Sequence, residues 1–98
     1  MDQKIAVKMF ESLSSEIRLD IFRLLIKYGD QGLVAGEIAT LLDLPNTNLS
    51  FHLKALVYAE MIEAEQEGRF IRYKAKTDQM LALIHYLTSE CCSLAEGC

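Results

Sequence analysis

Ninety-eight residues, 51% of them hydrophobic, suffice for one domain with a small core, and chains of this size often gain stability by oligomerising. The net charge of -4 counts against a protein basic all over, although DNA binding needs only a basic footprint on one face. No apolar run approaches the roughly 20 residues of a bilayer span, and Met1-Asp2-Gln3-Lys4 opens an amphipathic stretch instead of a secretory leader, so a cytoplasmic protein without a membrane partner is expected.

Ile5, Met9, Phe10 and Leu13 recur at helical spacing and predict a first helix over residues 3–13. Ser14 or Ser15 can cap a second helix, whose apolar face reads Ile17, Ile21, Leu24, Leu25 and Tyr28 and which Gly29-Asp30-Gln31-Gly32 stops. A short third helix over about Ala35–Leu42 buries Ile38 with Leu41 or Leu42. Pro45 disfavours helical geometry at Leu44, so Asp43-Leu44-Pro45-Asn46 is a turn. A fourth helix then spans about Thr47–Ala59, with Leu49, Leu53 and Leu56 inward and Asn48, Ser50, His52 and Lys54 on its other face. The period next changes from helical to alternating: Ile62–Glu65, a turn at Gln66–Arg69 and Phe70–Ala75 form a β-hairpin tipped by Gly68. Thr77 caps a last helix running to roughly Glu90 or Leu94.

This order, mainly α with one β-hairpin wing, is that of a winged helix-turn-helix. Leu81, Leu83, Ile84, Tyr86 and Leu87 cannot all face one small core. With Met9 and Phe10 they make the terminal helices, about 3–13 and 77–94, the expected homodimer interface of a single domain over residues 1–98. In the wing, Arg69, Arg72, Lys74 and Lys76 cluster in sequence with no acid between them.

Over nearly its whole length the chain resembles the ArsR/SmtB family of metal- and stress-responsive repressors. The carriers are Leu13-Ser14-Ser15-Glu16-Ile17-Arg18-Leu19-Asp20-Ile21-Phe22, Gly36-Glu37-Ile38-Ala39, Leu49-Ser50-Phe51-His52-Leu53-Lys54-Ala55-Leu56 and Glu67-Gly68-Arg69-Phe70-Ile71-Arg72-Tyr73. The resemblance implies a homodimer joined through its first and last helices, a recognition helix starting near Asn46 and a wing tip near Gly68. It also implies binding to imperfect palindromes of double-stranded operator DNA, with release on binding an inducer. The residues suit that role. Asn48 and Ser50 are short hydrogen-bonding groups where base edges are reached; Thr47, His52 and Lys54 suit base or phosphate; Arg69 and Arg72 suit phosphate or the minor groove. Phe51 stands apart, its bulk suited to packing against the wing or the preceding helix.

Cys91, Cys92 and Cys98 are the only cysteines and fall within eight residues. In a reducing compartment an odd number reads as free thiols or ligands. Soft thiolates select soft ions, and three sulfurs without a fourth donor fit the trigonal-pyramidal preference of As(III) or Sb(III), whereas tetrahedral Zn(II) takes four ligands. His85, Glu90 and Glu96 are the nearby candidates for a fourth. The family's Cys-x-Cys arsenic site at the third helix is absent, since Val34 and Gly36 stand there. Its zinc site on the last helix is absent too, with Met80, Cys91 and Leu94 at three of the positions and only Asp78 matching. A smaller group in the family, with vicinal cysteines and a third six residues later, matches this chain and implies an As(III) trio, with no organic cofactor.

The expected function is therefore an arsenite-responsive repressor. Within the same class the alternatives are a response to Cd(II), Pb(II) or Sb(III), or to thiol oxidation. An enzyme of cysteine chemistry is disfavoured, because no cysteine follows a strand in a phosphate-binding loop and no Cys-x-x-Cys is present. A winged-helix protein-interaction module without DNA is the remaining class, mildly favoured by the acidic charge.

Overall fold

The computed structural model describes residues 1–97, and every side chain among them except those of Asn46 and Thr47. Helix α1 (Gln3–Leu13) starts on Asp2, whose carboxylate accepts the Lys4 N–H, and α2 (Glu16–Tyr28) starts on Ser15, whose hydroxyl accepts the Arg18 N–H. A single 3₁₀ turn over Gly29–Gln31 ends α2, and Gly32 turns the chain into strand β1 (Leu33–Val34). Helix α3 (Ala35–Leu42) follows directly, with Glu37 reaching back to accept the Val34 N–H at 3.0 Å. This is one half of a capping box. Helix α4 (Asn46–Tyr58) begins just after Pro45, whose fixed φ suits the start of a helix. Strands β2 (Ile62–Glu67) and β3 (Phe70–Ala75) form the hairpin, and α5 (Thr77–Thr88) closes the order.

The sheet has three antiparallel strands in the order β1-β3-β2. In the hairpin Ile62 pairs with Ala75 and Glu67 with Phe70, leaving Gly68 and Arg69 as a two-residue turn, with Gly68 at φ +59°. Strand β1 was not expected. It pairs Leu33 with Tyr73 and Val34 with Arg72, and so ties the segment before α3 to the wing.

Met9, Ile21, Leu25, Ile38, Leu53, Leu56, Met61 and Ile62 are the fully buried large side chains. They bring α1 through α4 and the foot of the wing onto one core, which Leu83 joins from α5. Met9, expected at the dimer interface, is therefore a core residue. So is Leu83, at 2% exposure, while Leu81, Ile84 and Leu87 on the same helix stay exposed. Leu42, not Leu41, packs with Ile38.

The last helix stops at Thr88, short of the expected Glu90 or Leu94. Thr88 and Ser89 account for the stop. Their hydroxyls donate to the carbonyls of Ile84 and Tyr86, each at 2.9 Å, and satisfy groups at a helix end. Beyond them the chain runs through turns, with Glu90 and Cys92 both at positive φ. The cysteines thus lie beyond the helix, not along it.

Candidate nucleic-acid interface and cysteine tail

Helices α3 and α4 are joined by the tight turn Asp43–Pro45. Asp43 takes the left-handed conformation at φ 52°, and the Leu44 N–H donates to the Ala39 carbonyl at 2.9 Å. Leu49, Leu53 and Leu56 anchor α4 to the core, which leaves the opposite face of the helix to solvent. Asn48, Ser50 and Lys54 are exposed, as a reading face requires. Thr47 has its side chain outside the described residues.

His52 is placed differently. It is half-buried on the flank toward α2, lining a small crevice with Asn48, Ile17 and Leu44. Arg18 Nη1 approaches His52 Nδ1 at 3.5 Å, and a guanidinium carries donors only, so Nδ1 is the acceptor. Arg18 is itself fixed by its Nε donating to the Ser12 carbonyl at 2.7 Å. Phe51, expected to pack on the wing or the preceding helix, does neither and stands 69% exposed.

Three of the wing's bases are committed to acids, two of those acids on the facing strand and one in the turn before it. Arg72 Nε donates to Glu67 at 2.8 Å and its Nη1 to the Gln31 carbonyl at 3.1 Å. Lys74 pairs with Glu65 at 3.1 Å, and Lys76 with Glu60 at 3.6 Å. The hydrogen bond that Lys74 donates to Glu65, then the charge of Glu65, raises the Lys74 pKa above the ordinary value. That pair therefore holds throughout neutral pH, and on the alkaline side any stability it gives is lost as pH rises through the raised Lys74 pKa. Arg69 at the tip is the wing base that makes no such pair among the described residues.

Such exposed pairs stabilise the hairpin little, but they cancel charge where a phosphate would sit. Glu67→Gln is expected to release Arg72, tighten binding to duplex DNA of any sequence and steepen the salt dependence by about one unit of slope. Binding measured across a series of salt concentrations checks this; an unchanged slope would show that Arg72 does not reach phosphate.

Cys91 is an exposed free thiol, and Cys92 is disulfide-bonded. Their sulfurs lie 3.3 Å apart, beyond the roughly 2.05 Å of an S–S bond. Cys98 lies outside the described residues. Among those described, no group of three or more His, Cys, Asp or Glu is placed to hold a metal ion, and no helix is long and apolar enough to cross a membrane.

Residues 13–65 match the family model described as a helix-turn-helix domain. The transcriptional repressor SdpR of Bacillus subtilis is 33% identical over 79 residues, covering 81% of this chain and 84% of SdpR. The chain belongs to the ArsR family of winged helix-turn-helix transcriptional regulators. Among solved structures, an ArsR-like transcriptional regulator from Rhodococcus sp. RHA1 superposes with a TM-score of 0.76 at 25% identity, over 97% of this chain and 96% of that one. The homodimeric winged helix-turn-helix DNA-binding domain Mb0332 from Mycobacterium bovis gives 0.69 at 25% identity, over 97% and 88%. These relatives are regulators and not enzymes, as the sequence led us to expect. Membership of this DNA-binding family makes α4 and the wing the candidate nucleic-acid interface.

Proposed function

We propose that the protein is an arsenite-responsive transcriptional repressor. It binds operator DNA as a cytoplasmic homodimer through α4 and the wing tip, and leaves when Cys91, Cys92 and Cys98 together take up As(III). The observation that carries the inducer reading is the pair of vicinal sulfurs 3.3 Å apart on an exposed turn. Reduction makes Cys92 a thiol next in sequence to Cys91, so that one soft ion can gather both, and Cys98 is near enough in sequence to supply the third. The homodimer is supported by the exposed Leu81, Ile84 and Leu87 on α5 and Phe10 on α1, and by the homodimeric state of Mb0332.

Coupling follows from position. The cysteine turn begins three residues after Thr88, the end of a helix that carries exposed apolar groups for the partner. Drawing the three sulfurs together reshapes that turn and the packing of the last helices, and with it the spacing of the two α4 helices. Only a difference in inducer affinity between the DNA-competent and incompetent states drives release, and operator DNA must weaken inducer binding equally. A coupling of about 1.4–3 kcal/mol lowers DNA affinity about 10- to 150-fold.

A gel shift on the gene's own promoter, in reducing buffer with and without arsenite, tests the reading. The parent should release DNA, while the triple Cys→Ser protein should bind DNA and ignore arsenite. Release of the triple variant at the parent's arsenite concentration would refute the site. Release by Cd(II), Pb(II) or peroxide but not arsenite would replace the inducer and leave the regulator.

A further inference from the structure

Phe51 is the most exposed large apolar side chain of α1–α4 after Tyr58, and nothing assigned so far uses it. At about 100° per residue it points some 200° round from Leu49, almost directly away from the core. Lys54 and Tyr58 continue the same outward face, both exposed, and Asn48 and Ser50 flank it. An apolar ring therefore stands at the centre of the face that hydrogen-bonding groups and a cation surround.

The ring is also held. His52 meets it edge-on, with ring centroids 5.8 Å apart and planes at 73°. His52 in turn is approached by Arg18, and Arg18 is fixed to the Ser12 carbonyl at the junction of α1 and α2. A chain of contacts from the protein body thus ends on the orientation of one exposed phenyl group.

In the major groove the apolar feature a base edge offers is the C5-methyl of thymine. A phenyl ring makes no conventional hydrogen bond to a base edge, and among the base edges the thymine methyl is the group against which it can shed water. We propose that Phe51 reads thymine: its ring packs on the C5-methyl of a thymine at one fixed position in each half-site, with His52 as the positioning residue. This rests on the reading of α4 as the helix that enters the major groove.

The test begins by selecting the preferred site of the full-length parent from a random duplex library. Each thymine of that site is then replaced singly by deoxyuridine, which removes the methyl group and nothing else. At one position per half-site the parent should bind roughly fourfold more weakly, the fold-change of one buried methyl group. Phe51→Ala should be indifferent to that replacement, and Phe51→Leu should keep part of the discrimination. His52→Ala should lose discrimination at that position while keeping the other selected bases, which a general loss of structure would not do. The proposal is overturned if no deoxyuridine weakens the parent, or if Phe51→Ala selects the same site and still distinguishes thymine. A parent with no preference over random duplex would overturn the reading of α4, and the assignment of Phe51 with it.

Discussion

Ile84→Glu should convert the protein from dimer to monomer and weaken operator binding by about 100-fold or more, the order lost when two joined contacts become independent. Ile84 is half exposed on α5, between the equally exposed Leu81 and Leu87. Three large aliphatic groups on one short helix leave apolar surface in water that the core does not take up, and a second copy of the same face removes it. A carboxylate there has no partner in the isolated chain and must be desolvated in the dimer, so the cost falls on association and spares folding. Leu83 supplies the contrast: one residue earlier it is buried, and Leu83→Glu should unfold the chain instead. Sedimentation in reducing buffer, with circular dichroism to confirm that Ile84→Glu is folded, separates the two. A parent that sediments as a monomer at micromolar concentration would refute the interface.

Gly32→Ala should be costly out of proportion to one methyl group. Gly32 sits at φ 60° and ψ -172°, a region that side chains rarely adopt. An added Cβ would also run into the Tyr73 carbonyl oxygen and come within 2.7 Å of Lys74 Cγ. The carbonyl belongs to the β3 backbone, which β1 and β2 hold from both sides, so it cannot easily yield. Strain and overlap together should cost about 3 kcal/mol and lower Tm by about 10–20 °C. Gly36→Ala is the matched control: it lies in α3 at ordinary φ with open space around it, and should raise stability by about 0.5 kcal/mol. Thermal melts of the two variants check the pair. Equal effects would mean that the approach of Gly32 to β3 is not a constraint.

Most of the helical framework was legible because its ends carry strong local chemistry. Ser15, Gly29 and Pro45 cap, stop or start helices through their own backbones and side chains, and α1 and α3 fall where the periodicity placed them. What escaped was made by partners distant in sequence. The two-residue β1 has no alternation of its own and exists only because β3 pairs with it. The wing's four bases look like a positive cluster along the chain, but antiparallel register lays β3 against the acids of β2, and Arg72 and Lys74 pair with the diagonal neighbours Glu67 and Glu65. The part-burial of His52 involves Arg18, 34 residues earlier, which no local pattern announces. Phe51 was different: its position two residues from both Leu49 and Leu53 already placed it outward, but its bulk argued for packing.

Strand β1 does more than complete a sheet. Because it passes directly into α3 and is stitched to β3, the helix pair and the wing of one subunit form a stiff caliper with a set gap. DNA that meets such a caliper must supply the compliance itself, through its own bending and groove width. On the proposed reading of α4 and the wing as the DNA contacts, the base pairs between them are expected to influence affinity by how readily they deform.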